Sequence, residues 1–485
     1  MPHMRVSVMQ DEPSSHRRTL LLADRLGQWA RNWPGVEAPI LIDAAVLVGF
    51  VIARTIGSAP ADGIWLVAAM IAAIRWPASG LGIAVAVALW PQQVRAGMTA
   101  GVAVAVASGV GFAVSWAFIR ARAPASSWPV RAVVVGALAL IAATLLAVIH
   151  TQREFGPAIA RVATLRWTES AVSFMVLVLG LRAAALGSMR PILLTMVAMA
   201  AALAVAVVVA FGPGFLDGSP LHWMLSEANT SRAAGPFVSP NRLGTVAAVA
   251  AILGASLAWG GRGAWRWAAV AFAGLGVAAL VLSYSRGALL GLVLGGGALV
   301  AARSRRAALG YIVLAAVAAV VLVPLLLSSR LAGSGGTLGA LFENDVGRFD
   351  AWLAGIRMII AKPIFGHGFN AFPVLGASYG ATDGLQTAHF EFIDLWAQAG
   401  IAAAAGYAAI VVGTVRGALD RVGDSWAMAS LGAIVVFGVA SSFNVQSPFL
   451  AVMGPVWIVS SFGIARRVTP DDTAQRPTAN RRLVS

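Results

Sequence analysis

The sequence predicts an all-α polytopic membrane protein, and three observations support this fold class. Hydrophobic residues make up 59% of the 485 residues and charged residues only 11%, whereas a soluble globular protein carries roughly 25% charge. The apolar segments are long enough to cross about 30 Å of hydrocarbon as helices. Cationic residues cluster between these segments, as expected for the cytoplasmic loops of a multi-pass protein.

The apolar segments predict about 12–14 transmembrane helices. The second and third segments are short, so a tilted or re-entrant hairpin is an alternative for them. No clear internal repeat is visible. The segments lie near residues 40–57, 62–75, 77–91, 97–119, 130–149, 168–186, 190–211, 241–260, 264–283, 286–302, 307–327, 391–413, 426–443 and 448–465.

Arginine dominates the charge of the chain and predicts its topology. Lys362 is the only lysine, so the net charge of +15 comes almost wholly from arginine. Cytoplasmic loops carry the excess of positive residues, so both termini are expected in the cytoplasm of a bacterium. No removable signal peptide is expected. The predicted parts are a cytoplasmic segment with an amphipathic helix (1–39), transmembrane helices (40–327), a large periplasmic loop (328–390), C-terminal transmembrane helices (391–466) and a cytoplasmic tail (467–485).

The composition and motifs exclude several kinds of site. The chain has no cysteine, which excludes disulfides, thiolate metal sites and thiol nucleophiles. It has neither a P-loop nor the glycine fingerprint of a dinucleotide-binding domain. Glu343 and Asp345 lie close together, but nothing nearby completes a shell for a hard cation. We therefore expect no metal and no cofactor.

Several segments on the predicted outer face are cationic, against the positive-inside rule. This distribution indicates an anionic ligand on that face. Surface solvation combined with arginine-rich coding is the alternative. The cationic residues concerned are Arg153, Arg161 and Arg166 in one loop, Arg232 and Arg242 around another, Arg286 at a helix end, and Arg330, Arg348, Arg357 and Lys362 in the long loop.

The stretch GPFVSPNRLGTVAAVAAILGA (235–255) predicts a helix that begins with an anion-binding turn. Ser239 is a favourable N-cap, and Pro240 suits the first helical position, where no amide hydrogen bond is lost. Asn241 and Arg242 then fall in the first turn, where free amides and the helix dipole favour an anion. A capped helix whose arginine reaches the membrane interface is the alternative.

The stretch SYSRGALLGLVLGGG (283–297) places Arg286 one turn into an apolar helix, near its outer end. A guanidinium stays charged in a protein, and placing one at membrane depth costs from about 3 to 10 or more kcal/mol. We favour a ligand contact, beside Ser283 and Ser285, over an arginine that merely reaches the interface. Glycines recur every four residues, which favours close packing against a neighbouring helix. They are Gly287, Gly291 and Gly295.

The stretch 344–372 predicts an amphipathic helix of about three turns within the long loop. Its large apolar residues recur at helical spacing and are Phe349, Trp352, Leu353, Ile356, Ile359 and Ile360. Lys362 and Pro363 should end the helix, because the residue before a proline is disfavoured in the α conformation. Arg348 heads this helix and could point into the same cavity as Arg286.

The stretch LQTAHFEFIDLWAQAG (385–400) returns the chain to the membrane, with His389 at the head of the helix. A neutral imidazole there could remove a proton from a hydroxyl acceptor, because its ordinary pKa lies near neutral pH. Glu391 and Asp394 follow closely and could orient a proton network. An interfacial histidine held by the helix end is the alternative.

In this order, SPNRLGT, LSYSRGALLGL, GRFDAWLAGIRMIIAKPIFGHGFNAF and AHFEFIDLWAQAGI resemble the O-antigen ligase and O-antigen polymerase superfamily. The resemblance covers residues 235–415 and rests on the order and spacing of the motifs around one large outer loop. Two positions depart from the family pattern. Phe390 follows His389 where the family commonly has asparagine, and Arg242 stands where an uncharged residue is frequent.

The resemblance implies a fold, a reaction and roles for individual residues. Members of the superfamily are metal-independent, inverting membrane glycosyltransferases with a GT-C-like helical fold, and their donor is a glycan on undecaprenyl pyrophosphate. The resemblance therefore implies that Arg286 and Arg348 bind the pyrophosphate and that His389 activates the acceptor hydroxyl. Arg242 is a further candidate for pyrophosphate binding. Possible supporting residues are Asn241, Glu391 and Asp394.

The predicted function is thus a glycan polymerase or ligase in the bacterial inner membrane, acting at the periplasmic face on a lipid-linked or protein hydroxyl acceptor. A transporter or flippase of lipid-linked anionic glycans is the main alternative, but it should show repeat symmetry and charges at the bilayer midplane. An intramembrane serine hydrolase would need a strained nucleophile turn, which the sequence lacks. No nucleic acid partner is expected.

Overall fold

The computed structural model describes residues 38–89, 100–118, 127–211, 233–237, 239–304, 306–313, 338–382, 385–446 and 449–465. The regular structure of this part of the chain is helical. Numbered along the chain, the helices are α1 (Ile40–Ile56), α2 (Ala59–Arg75), α3 (Pro77–Ala88), α4 (Ala100–Phe118), α5 (Trp128–Ala185), α6 (Arg190–Phe211), α7 (Pro240–Gly260), α8 (Gly263–Ser283), α9 (Arg286–Arg303), α10 (Leu338–Ala361), α11 (Phe372–Leu375), α12 (Glu391–Leu419), α13 (Ser425–Ser441) and α14 (Leu450–Ala465).

Six of the described helices are long and apolar enough to cross a membrane, which confirms a multi-pass membrane protein. They are α5, α6 over Arg190–Val208, α7, α8, α9 and α12, and shorter apolar helices lie in α3, α4, α13 and α14. The total of about 12–14 spans stays a prediction. The predicted N-terminal amphipathic helix, the segment 314–337 and the C-terminal tail lie outside the described residues.

Helix α5 is a helical hairpin whose two arms contain the two predicted spans, and helix replaces the loop that the sequence predicted between them. Its 58 residues would make a rod of about 87 Å at the rise of an α-helix, yet the Trp167 indole donates to the Thr144 hydroxyl at 3.2 Å. The chain reverses at Gly156, whose φ of 79° suits glycine, and Pro157 begins the second arm. The arginines predicted to lie in a loop are therefore helical, and they are Arg153, Arg161 and Arg166.

Helix α12 reverses in the same way at Gly400, where φ is 77° and ψ is −174°. The rings of Phe392 and Tyr407 would lie far apart on a continuous helix, but their centroids are 6.3 Å from each other. The two arms of α12 therefore fold back on one another. The break also frees amide and carbonyl groups that a continuous helix would pair internally.

The chain that follows α10 pairs with these freed groups. The His367 amide donates to the Ala397 carbonyl at 3.0 Å, just before the break. Just after it, the Ile401 amide donates to the Pro363 carbonyl at 3.0 Å. The reversal at Gly400 thus allows the segment that follows α10 to lie directly against the bend of α12.

A larger share of α7 is buried than of any of the other five candidate spans, and α7 packs against α8, α9 and α13. The glycines of α9 make a close packing contact with α13, as the sequence predicted. A Cβ at Gly291 would lie 2.9 Å from the Val436 carbonyl oxygen, and one at Gly295 would lie 3.0 Å from the Gly432 carbonyl oxygen. This packing brings the first turns of α7 and α9 together with the end of α13.

Helix α10 confirms a helix in the long loop and ends at Ala361, just before the predicted stop. It begins at Leu338 and has 24 residues, so it is longer than the predicted three turns, and Arg348 lies inside it and not at its head. The helix does not bury its stripe of large apolar residues. The buried face consists of Ala351, Ala354 and Met358, which pack toward α12. The large apolar residues point outward instead, and the exposed ones are Phe349, Leu353, Ile356 and Ile360. In a membrane protein, lipid can cover such a surface, because lipid tails are as apolar as these side chains.

We expect Gly400→Ala to destabilise the protein strongly. Alanine is strained at a φ of 77°, and its Cβ would lie 1.9 Å from the Ile364 carbonyl oxygen. A residue held in such a conformation costs about 1–3 kcal/mol from the backbone alone. The melting temperature of the purified protein in detergent, measured by scanning fluorimetry, should therefore fall by several degrees.

Two other glycines serve as matched controls for this substitution. Gly156 has a similar φ of 79° but open space around its Cβ position, so Gly156→Ala should lower the melting temperature less. Gly274 lies inside α8 with open space and an ordinary helical backbone, so alanine should be neutral or stabilising there. Equal melting temperatures for the variants at positions 400 and 274 would contradict the packing at the bend.

Candidate functional site

An open cavity lies where the first turns of α7 and α9 meet α10 and the end of α13, and its empty space, with the solvent at its mouth, is about 330 Å³. The cavity brings together three residues that the sequence analysis selected: Asn241, Arg286 and Arg348. The full lining is Asn241, Thr245, Ser285, Arg286, Gly287, Ala288, Arg348, Ala440, Phe443, Asn444 and Gln446.

The cavity collects positive potential from two helix N-termini and two arginines. Arg286 is the first residue of α9, not one turn inside the helix as predicted, and Asn241 is the second residue of α7. The free amides and dipoles of both helices therefore act at the cavity. Arg286 and Arg348 add two guanidinium groups to the same lining. Such an arrangement suits an anion with several acceptor oxygens, such as a phosphate or pyrophosphate.

Ser283 fixes the turn that presents Arg286. Its hydroxyl donates to the Leu280 carbonyl at 2.7 Å and accepts from the Ser285 amide at 3.2 Å. Tyr284, between the two serines, has a left-handed backbone with a φ of 48°. Ser283 is therefore a structural residue, whereas Ser285 lines the cavity.

Arg242 is not among the residues that line the cavity. Its guanidinium carbon lies 3.2 Å from the centre of the Phe449 ring, a cation–π contact, and its charge interacts with that of Glu169 on α5. These contacts connect α7 with α5 and with the chain that leads into α14. A pyrophosphate contact by Arg242 stays a prediction.

His389 lies beside the cavity, immediately before α12. Its φ of 55° is left-handed, a conformation that few non-glycine residues adopt and that often occurs at functional sites. Burial lowers the pKa of the imidazole, the neighbouring charge of Arg348 lowers this pKa further, and a hydrogen bond with the backbone of Phe443 raises it. Burial and the charge of Arg348 thus favour the neutral ring, which is the form that a general base requires. Its Nδ1 atom is buried and has no hydrogen-bond partner among the described residues.

Glu391 and Asp394 are buried in the first turn of α12 and hold backbone groups around the histidine. Asp394 accepts a hydrogen bond from the amide of Ala388 at 2.9 Å, one residue before His389. Glu391 accepts from the amide of Gln446 at 2.7 Å. Asp394 therefore holds the residue before His389, and Glu391 holds the backbone of Gln446 against the start of α12.

A chain of hydrogen bonds continues from Asp394 to the hairpin α5. The side-chain nitrogen of Gln398 donates to Asp394, and its oxygen accepts from the backbone amide of Asn370. Arg166 in turn donates to the side-chain oxygen of Asn370 at 2.6 Å. The network thus connects both helical hairpins to the turn that carries His389.

Sequence analysis missed four residues that complete the cavity, and they are Thr245, Phe443, Asn444 and Gln446. The last three lie in a short connection between α13 and α14, where a solvated loop would give the same polar pattern. It also missed Gln398 and Asn370, which meet only because two segments distant in sequence pack together. The polar residues of FNVQ between two apolar helices were the only available signal.

Comparison with known proteins supports the resemblance deduced from the motifs. Residues 271–408 match the family model described as O-antigen ligase. The matched segment contains Arg286, Arg348 and His389 but leaves out α7 and Gln446, which complete the cavity. No curated protein matches the chain. The match confirms the predicted superfamily and supports a glycan-transfer enzyme of polysaccharide biosynthesis.

We expect Arg348→Gln to move the acid limb of the pH–activity profile to higher pH. Activity that needs a neutral His389 falls as the pH drops through its pKa, and loss of the neighbouring positive charge raises that pKa. Arg348→Lys keeps the charge, so its acid limb should lie closer to that of the wild type. Transfer rates at saturating donor between about pH 5 and pH 8 measure the shift. Superimposable limbs for the wild type and Arg348→Gln would contradict this electrostatic coupling.

Asp394→Ala should lower turnover by about tenfold or more while donor binding is retained. The substitution frees the turn that carries His389, and a misplaced general base loses much of its contribution. An unpaired buried donor also costs about 1–3 kcal/mol, so the melting temperature should fall. Steady-state kinetics with a donor titration separate the two effects.

Asp420→Ala is the matched control for this variant. Asp420 follows the last residue of α12, and its exposed carboxylate lies 3.2 Å from Arg416. Such exposed pairs contribute little, so neither turnover nor melting temperature should change. Weakened donor binding with unchanged turnover in Asp394→Ala would argue against a positioning role.

Proposed function

We propose that this chain, which carries an O-antigen ligase domain at residues 271–408, is a glycosyltransferase of the bacterial inner membrane. It transfers or polymerises a glycan from undecaprenyl pyrophosphate onto a hydroxyl acceptor at the periplasmic face. The proposed reaction inverts the anomeric centre, needs no metal or cofactor, and takes place on a GT-C-like arrangement of helices.

The observation that carries this proposal is a cationic cavity with a half-buried histidine beside it. A pyrophosphate diester carries about two negative charges, and arginine binds phosphate oxygens through a planar fork of donors. Arg286 and Arg348 supply two such forks in one cavity. His389 is coupled to the same cavity through Arg348 and through the Phe443 backbone.

In the proposed reaction, the acceptor hydroxyl gives its proton to a ring nitrogen of His389. The acceptor oxygen forms a bond to the anomeric carbon of the donor sugar. The bond from that carbon to the pyrophosphate oxygen breaks, and its electron pair leaves with undecaprenyl pyrophosphate. Attack from the side opposite the leaving group inverts the anomeric configuration.

The arginines and helix N-termini have the role of stabilising the leaving group. Negative charge on the bridging pyrophosphate oxygen grows as the bond breaks, so fixed positive groups bind the transition state more tightly than the donor. This stabilisation comes from Arg286 and Arg348 and does not require a cation from solution.

The proposed partners are the lipid-linked glycan donor, a hydroxyl acceptor and membrane lipids. A polymerase would take a second lipid-linked repeat unit as acceptor, a ligase would take lipid A–core, and related enzymes would take a protein hydroxyl. These reactions differ in the acceptor and share the donor, so the same cationic cavity suits each of them.

Two variants separate donor binding from turnover. They are assayed as purified proteins with a lipid-pyrophosphate-linked oligosaccharide, a hydroxyl acceptor and no added metal. Arg286→Ala should weaken donor binding by about tenfold or more, because a hydrogen bond to a charged group contributes about 1.5–3 kcal/mol. His389→Ala should keep donor binding but lower the release of undecaprenyl pyrophosphate by about a hundredfold or more.

Arg303→Ala is the matched control for the arginine variant. Arg303 is the last residue of the same helix, and its guanidinium carbon lies 5.1 Å from the centre of the Trp259 ring. This variant should bind and turn over like the wild type. Donor binding without turnover in the wild type would instead favour a transporter or flippase. Full activity of both Arg286→Ala and His389→Ala would rule out the proposed site.

A further inference from the structure

We propose that the side-chain oxygen of Gln446 accepts a hydrogen bond from a hydroxyl of the sugar attached to the donor pyrophosphate. Gln446 is then a residue that determines donor specificity. The inference rests on the proposed function, because it takes the cavity to hold the pyrophosphate. Gln446 is fully buried, lines the cavity, and lies outside the segment that matches the family model.

Hydrogen bonds fix Gln446 at its backbone and at its side chain. The backbone amide donates to the Glu391 carboxylate at 2.7 Å. The side-chain nitrogen donates to the hydroxyl oxygen of Thr245 at 3.3 Å. The residue therefore connects α12 to α7 across the wall of the cavity.

The hydrogen bonds of Thr245 decide which way the carboxamide of Gln446 faces. The hydroxyl of Thr245 donates its only proton to the Asn241 carbonyl at 2.9 Å. The Thr245 oxygen therefore has only acceptor capacity left for Gln446. The nitrogen of the carboxamide must face Thr245, since a flipped amide would set two acceptors against each other.

This orientation leaves the carboxamide oxygen Oε1 as a buried acceptor. Oε1 of Gln446 has no hydrogen-bond partner among the described residues. Buried acceptors in native proteins nearly always have a partner, because an unpaired one keeps its desolvation cost. The partner that completes this site must donate a hydrogen bond. Pyrophosphate oxygens are acceptors, so they cannot be that partner.

The cavity therefore suits a ligand with both kinds of group. Arg286 and Arg348 can donate to acceptor oxygens, whereas the unpaired side-chain oxygen of Gln446 can accept from a hydroxyl. A pyrophosphate-linked sugar presents both on adjacent groups, and a lipid pyrophosphate without sugar presents only acceptors. A site that pairs with a substrate hydroxyl rejects an analogue that lacks it, because its own polar group is left unpaired.

The test compares two lipids on the purified full-length protein. They are the lipid-pyrophosphate-linked oligosaccharide and undecaprenyl pyrophosphate without sugar, and the measured quantity is the ratio of their Kd values. Gln446→Met keeps the size of the side chain but lacks the acceptor. It should lower the preference for the sugar-bearing lipid by about tenfold, with the affinity for the bare lipid unchanged.

The possible outcomes separate this inference from the proposed function. A wild-type protein that binds neither lipid contradicts the proposed function itself. A wild type that binds both, with the same ratio in Gln446→Met, contradicts the inference alone, and so does an equal loss of affinity for both lipids. If Gln446→Met does not fold, Thr245→Val provides the second test. It removes the acceptor that orients the carboxamide, so it should also lower the preference, and an unchanged ratio there contradicts the inference.

Discussion

The reversal of the chain at Gly400 is the constraint on which the site depends. The left-handed backbone of Gly400 lets the segment that follows α10 pair with the free carbonyl and amide groups at the break in α12. The short first arm of α12 then carries Asp394 and Gln398, which hold the amides of Ala388 and Asn370. A continuous α12 would leave no place for the segment of Asn370, and the turn of His389 would lose this support.

The cavity places a positive side chain at a helix N-terminus, where a negative group is usually favoured. A cation at the first position of a helix meets the positive end of the dipole, and this position normally favours a carboxylate. Arg286 stands there, and the N-terminus of α7 and the guanidinium of Arg348 lie around the same cavity. A local conflict of this kind is expected where function overrides stability. Burial lowers the pKa of His389, and the charge of Arg348, which lines the cavity, lowers this pKa further.

Periodicity and helix punctuation predicted much of the fold and part of the site. The start of α7 at Pro240 and the end of α10 before Lys362 follow from local residue chemistry, which a sequence displays directly. The reversal inside α12 was not predicted, because apolar periodicity is the same on a straight helix and on one that reverses at a glycine. The sequence also predicted the apolar stripe of α10 but not the direction it faces. In a membrane protein, large apolar residues suit the outer surface as well as the core.

In the proposed reaction, the residues around the cavity divide into two groups with different chemical tasks. Every donor on undecaprenyl pyrophosphate presents the same pyrophosphate, and Arg286 and Arg348 lie in the segment that matches the family model. The glycan differs between donors, and the acceptor that we assign to it, Gln446, lies outside that segment. Gln446 holds Glu391 through its backbone amide, a bond that any residue except proline can make. A change of side chain at this position can therefore alter which sugar is bound without loosening the helix that positions His389.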